Sequence, residues 1–157
     1  DPQYGLLDAI EGLPKNWDYV FLDCPPELKI ITRTAMIAAN EILIVLRPGT
    51  PDLLGVRTLS TNIEGARRRV NPNLRIGGVL LVQANERTLI YKDCKEKLEK
   101  HFPGLVYNAS VRMNIRFTEL LGHGQVIMTY APNSPGADDY RIVAAEFLER
   151  ERANRNN

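Results

Sequence analysis

Residues Tyr19-Val20-Phe21-Leu22 form an apolar run without polar alternation, and the run stops at Asp23-Cys24-Pro25-Pro26. A strand that cannot alternate has no face to offer water, so it belongs in a parallel sheet covered by helices on both sides. The expected strand covers residues 17–24. Glu41–Leu46 and residues 75–82 repeat the apolar pattern, and residues 105–109 supply a fourth, shorter run. Between and around them, residues 6–13, 28–39, 52–70, 88–102 and 134–152 carry helical spacing, the third of these ending in Arg67-Arg68-Arg69 and stopped by Asn71-Pro72-Asn73. Strands separated by helices restrict the chain to an α/β fold with right-handed crossovers, a mostly parallel sheet flanked by helices.

Composition excludes several functions. At 157 residues, 44% hydrophobic and 25% charged, the chain has the makeup of one ordinary globular domain, taken here as residues 1–157. Twenty Lys and Arg against nineteen Asp and Glu leave a net charge of +1, so any affinity for nucleic acid must come from a local patch. Cys24 and Cys94 lack metal-ligand or redox spacing, which suits a reduced cytoplasmic chain. No apolar run approaches the roughly 18 residues of a membrane span and no signal peptide opens the sequence, so no membrane partner is expected.

Asp23 is the leading candidate for chemistry. A carboxylate at the end of a buried parallel strand is placed to hold Mg²⁺, through water, beside a nucleotide's phosphates. The plainer reading is a strand-end acid that caps a turn. Pro25 and Pro26 fix the backbone after it and remove two N–H donors. The glycine-rich loop ending in Lys-Ser or Lys-Thr that normally cradles the phosphates has no counterpart in this sequence.

Three segments, Trp17 through Pro26, Ala38-Ala39-Asn40-Glu41-Ile42-Leu43-Ile44 and Gly78-Val79-Leu80-Leu81, resemble the ParA/Soj family of DNA-partitioning ATPases. Asn114-Ile115-Arg116, Glu119, His123-Gly124, Tyr130, Pro132, Ser134 and Gly136-Ala137 are similar to that family's C-terminal signature in order and spacing. The resemblance runs from about residue 6 into the last helix. It implies a P-loop-type sheet of the deviant Walker class, incomplete here because the phosphate-loop (Walker A) strand and loop are missing. A fragment, a partner that supplies the missing part, and a stand-alone chain that has closed the gap all fit this.

The resemblance further implies ATP and Mg²⁺ as cofactors, with Asp23 in the Walker B role as the metal-positioning and catalytic residue. It places Asn85, Arg112, Met113 and Asn114 at the nucleotide, where an Asn amide can both donate to and accept from adenine. It assigns Arg87 and Arg116 to nonspecific DNA binding, for which guanidinium pairing with phosphates is suited. The implied partners are DNA, a ParB-like centromere-binding protein, and a second copy of the complete protein in an ATP-dependent dimer. The implied location is the nucleoid. Without a phosphate loop the chain by itself is expected to be inactive as a hydrolase.

Two other readings stand beside this one. A MinD-like positioning ATPase would need an amphipathic C-terminal helix, and residues 149–155 lack the apolar face. A non-enzymatic DNA- or protein-interaction module would keep the fold without using nucleotide. His123, flanked by Gly122 and Gly124, has no Ser or Asp at triad-like spacing and reads as a structural loop residue. His101 falls at a helix end, where positive charge is favoured. The runs at residues 67–69 and at Arg150, Arg152 and Arg155 read as solvated faces.

Overall fold

Helices and strands alternate along the described chain as α1 (Gly5–Glu11), α2 (Ile30–Ala38), β1 (Glu41–Leu46), α3 (Leu53–Arg69), β2 (Arg75–Ala84), α4 (Leu89–His101), β3 (Val106–Arg112), α5 (Ile115–Leu120), α6 (Ile127–Tyr130) and α7 (Pro135–Arg155). The computed structural model describes residues 4–25, 29–49, 53–120 and 122–155. Pro26, together with residues 28 and 52 where two helices were expected to begin, lies outside the described residues. The chain divides into two units, one of residues 1–42 with 52–76 and one of residues 43–51 with 77–157.

In the first unit, α2 buries Ala35, Met36 and Ile37, and α3 buries Val56 and Ile63. Leu74 is fully enclosed. The exposed carbonyls at the end of α2 need donors, because a helix leaves its last four unsatisfied. Asn71 provides them: its Nδ2 donates to the carbonyls of Met36, Ile37 and Ala39 at 3.0, 3.2 and 2.7 Å. The turn that stops α3 thereby also caps α2. Glu41 and Arg75, at the beginnings of β1 and β2, form an ion pair at 2.8 Å.

Residues 17–24, expected as a buried strand, form none. Residues 12–25 are irregular, and Trp17 and Phe21 are 66% and 73% exposed. The rings of Tyr19 and Phe21 lie 6.5 Å apart. A strand exists only through its ladder hydrogen bonds, and no described strand pairs with this run. Apolar patterning alone does not supply a neighbour.

The sheet has the order β1-β2-β3. β2 and β3 are parallel, with Val79 opposite Val106, Leu81 opposite Ser110, Val82 opposite Val111 and Ala84 opposite Arg112. The α/β class expected from the sequence is the class observed, with three strands where four were expected. Gln83, the residue without an opposite number between Val82 and Ala84, has φ 51°, a left-handed conformation unusual outside glycine. In the second unit Leu80, Tyr107, Val111 and Val143 form the core, with Phe117 and Phe147 packed against it. Ser134 starts α7, accepting the Ala137 N–H at its Oγ, with Pro135 in the first helical position.

α7 also covers the outer side of β3 with polar groups. Glu146 accepts the N–H groups of Asn108 and Ala109, both at 2.9 Å. Arg150 donates to the carbonyls of Gly104, Leu105 and Val106 at 3.1, 3.4 and 2.8 Å, and its guanidinium lies 4.4 Å from the Tyr107 ring centre. These anchors, with Glu151 buried, carry α7 to Arg155, and Arg150, expected on a solvated face, is one of them.

Candidate functional site

Two turns that share an Asn and an Arg at the same spacing, and the same hydrogen bonding, follow neighbouring strands. After β2 comes Asn85-Glu86-Arg87, and after β3 comes Asn114-Ile115-Arg116. The Asn85 Oδ1 accepts the Arg87 N–H at 3.2 Å, and the Asn114 Oδ1 accepts the Arg116 N–H at 3.0 Å. The backbone carbonyls match as well: Asn85 accepts the Thr88 N–H at 3.0 Å and Asn114 the Phe117 N–H at 3.1 Å. Each is an Asx turn, in which the side chain stands in for a backbone acceptor and fixes the next two residues. Thr88 then caps α4, its side chain accepting the Tyr91 N–H.

Because Ala84 lies opposite Arg112 in a parallel pair, both turns leave the same end of the sheet. Outside the carboxyl ends of parallel strands is where such sheets bind ligands. Asn85, Arg87, Arg112, Met113, Asn114 and Arg116 therefore share one loop cluster. Asp23 belongs to the other unit, exposed on the irregular segment before α2.

Members of the cluster differ in what their side chains have left to offer. Arg112 is committed to Asp139: Nε lies 2.9 and 3.1 Å from the two carboxylate oxygens, Nη2 lies 2.8 Å from Oδ1, and the Arg112 N–H donates to Oδ2 at 2.9 Å. The hydrogen bonds and charge of Asp139 hold the guanidinium above its ordinary pKa. Asn85 and Asn114 have each used Oδ1 in a turn, which leaves their amide nitrogens as donors. The Asn114 Nδ2 sits where a Cβ on Gly136 would come within 3.0 Å, so only glycine lets α7 approach this turn. Met113 is 74% exposed, and Arg87 is exposed as well.

Arg116 pairs with Glu119 through Nη1 at 2.7 Å, which raises its pKa through that hydrogen bond and charge. The same carboxylate oxygen accepts the Tyr130 Oη at 3.4 Å, and the His123 ring stacks on Tyr130 at 5.1 Å. Arg116 and Tyr130 line an open hollow with Ala131, Pro132, Asn133 and Ser134. Glu86 ties the cluster together, accepting the Ser110 Oγ at 2.8 Å and the Tyr91 Oη at 3.4 Å.

Asp139 and Glu86 did not emerge from the sequence reading. Asp139 had a readable signal, an acid four residues before Val143 on the buried side of the last helix, where a carboxylate needs a partner. Glu86 had none, since its partner Ser110 is 24 residues away. Among the described residues no group of three or more His, Cys, Asp or Glu is placed to hold a metal ion.

Residues 1–76 match the model of a family described as an AAA domain. The chain is 33% identical over 151 residues to the chromosome partitioning protein ParA of Caulobacter vibrioides, covering 95% of this chain and 57% of the relative. It is 33% identical over 141 residues to the sporulation initiation inhibitor protein Soj of Bacillus subtilis, covering 90% and 56%. To the chromosome-partitioning ATPase Soj of Thermus thermophilus it is 34% identical over 136 residues, covering 87% and 55%. The chain thus spans little more than half the length of these relatives. Among solved structures, the cobyrinic acid a,c-diamide synthase of Mycobacterium smegmatis shares the fold, with a TM-score of 0.71 at 24% identity over 88% of this chain and 50% of that one. A second structure of that enzyme, with a bound ATP analogue and magnesium, matches with a TM-score of 0.65 at 25% identity over 71% and 45%. Along nearly its whole extent, the chain is thus similar to ParA and Soj proteins of three organisms.

Proposed function

We propose that the chain serves a ParA-type partition ATPase, contacting DNA without sequence preference through Arg87 and Arg116. The observation that carries this reading is the matched pair of Asx turns, which presents two arginines, each two residues after its turn asparagine, at the same end of two adjacent parallel strands. Phosphates recur regularly along a duplex, and two guanidinium groups on one loop cluster suit such a target. The partitioning relatives support it. In the complete protein ATP drives dimerisation, the dimer binds nucleoid DNA in the cytoplasm, and a ParB-like partner stimulates hydrolysis and release.

Nucleotide binding is part of the same proposal. Mg²⁺ is commonly held by one or two carboxylates, with water and phosphate completing its shell, so a single exposed Asp23 fits as a water-mediated ligand without forming a site by itself. Bound Mg²⁺ would neutralise charge on the phosphates. Asn85 and Asn114 would offer their amide nitrogens to the acceptor atoms of adenine, and Met113 an apolar surface to its ring. Arg112, committed to Asp139, would position the Met113-Asn114 backbone beside the base.

The test is fluorescence anisotropy of this chain with a labelled random-sequence duplex across a salt series. Arg87→Ala and Arg116→Ala are each expected to weaken binding and to reduce the slope of log affinity against log salt by about one. Affinity and slope unchanged in both variants would overturn the reading.

A further inference from the structure

We infer that Glu119 is a latch on the DNA-contacting Arg116: its carboxylate holds the guanidinium in the place of a phosphate, and duplex binding displaces it. This rests on the DNA reading above and adds the group that regulates it. Three observations carry the inference.

The first is an asymmetry between otherwise equal turns. Arg116 has a carboxylate oxygen 2.7 Å from Nη1, whereas Arg87 has no ion pair among the described residues. One arginine is thus ready for an anion and the other is already holding one.

The second is exposure. The Arg116 and Glu119 side chains are 51% and 36% exposed, so an incoming phosphate can reach the guanidinium and the departing carboxylate can be hydrated. Arg112 shows the opposite arrangement, with a bidentate partner only 4% exposed. A carboxylate buried at that level cannot be exchanged for phosphate without a large desolvation cost, but a surface pair one helical turn apart is weak and salt-sensitive.

The third is the anchoring of the latch. Glu119 Oε2 also accepts the Tyr130 hydroxyl, and the Tyr130 ring is stacked against His123. The carboxylate therefore has a second donor, which keeps it oriented when the arginine turns away. Tyr130 and Arg116 line the same hollow, so the rearrangement takes place at an open surface.

The experiment is a double-mutant cycle on this chain, read by anisotropy with a labelled random-sequence duplex at low salt. Glu119→Gln is expected to tighten binding about two- to five-fold, the scale of a surface ion pair, and to do nothing in the Arg116→Ala background. If Arg116→Ala weakens binding but Glu119→Gln changes nothing, the latch is overturned and the DNA reading stands. Tightening by Glu119→Gln that persists without Arg116 is a general charge effect and also overturns it. If Arg116→Ala itself has no effect, the DNA role of that arginine falls and the latch with it.

Discussion

Arg112 and Asp139 are joined at both backbone and side chain: the carboxylate takes the Arg112 N–H at 2.9 Å while the guanidinium grips it with Nε and Nη2. The pair fastens the end of β3 to the first turns of α7, just before the turn that carries Asn114 and Arg116. Asp139 is 3% exposed, so its removal strands an N–H at the strand end. Asp139→Ala is expected to cost about 1–3 kcal/mol of stability. Asp139→Asn should cost less, since its Oδ1 can keep the N–H. Urea unfolding midpoints check the order, and an Ala variant as stable as the parent would refute a structural role for the pair.

Glu146 makes stability depend on acid. Burial alone would raise its pKa, but the N–H groups of Ala109 and Asn108 and the Arg150 guanidinium outweigh this and hold it below the ordinary glutamate value. A carboxylate with a lowered folded pKa stabilises the native state fully above the unfolded value of about 4.3, and that stabilisation is lost as pH falls through the folded value. The parent should therefore lose stability on acidification below about pH 4.3. Glu146→Gln should be less stable at neutral pH and flatter through the acid range. Parallel curves of urea midpoint against pH for the two proteins would contradict the assignment.

Asp23 affects the thiol beside it. The Cys24 pKa is raised first by burial and then by the Asp23 charge, while that of Cys94 is raised by burial against the opposing effects of Gly49 and Lys97. Only the thiolate alkylates at a useful rate, so both cysteines should react with iodoacetamide more slowly than a free cysteine at neutral pH. Asp23→Asn should speed labelling at Cys24 and leave Cys94 unchanged. Peptide-level mass spectrometry distinguishes the two sites, and an unaltered Cys24 rate would show that the carboxylate does not act on the thiol.

Gly78 gives the Tyr107 ring its place in the core. A Cβ there would collide with the Tyr107 ring and come within 3.3 Å of the Leu105 carbonyl oxygen. Gly78→Ala is expected to destabilise by about 1–3 kcal/mol through overpacking. Much of that cost should vanish when Tyr107→Val removes the ring, which a double-mutant cycle measures. Equal cost in both backgrounds would locate the strain in the backbone instead.

Local patterns carried most of the fold. Glu41–Leu46 was legible to the residue because apolar β-branched runs and their flanks are local, and the helical spacing over residues 88–102 located α4 within a residue at each end. α5 and α6, of six and four residues, are too short to show a helical period. Residues 17–24 had the composition of a strand but needed a partner, which composition does not encode. At the site, the sequence singled out the arginines but showed none of their ion-pair partners. Arg112 and Arg116 look alike in one dimension, and what separates them is a buried acid 27 residues away for one and an exposed acid three residues away for the other.

The Glu146 and Arg150 contacts close one margin of the sheet. At the outer margin of β3, amide donors and carbonyl acceptors are engaged by side chains rather than by another strand, so that border is finished. A strand that paired with β3 on this side would first have to displace Glu146 and Arg150.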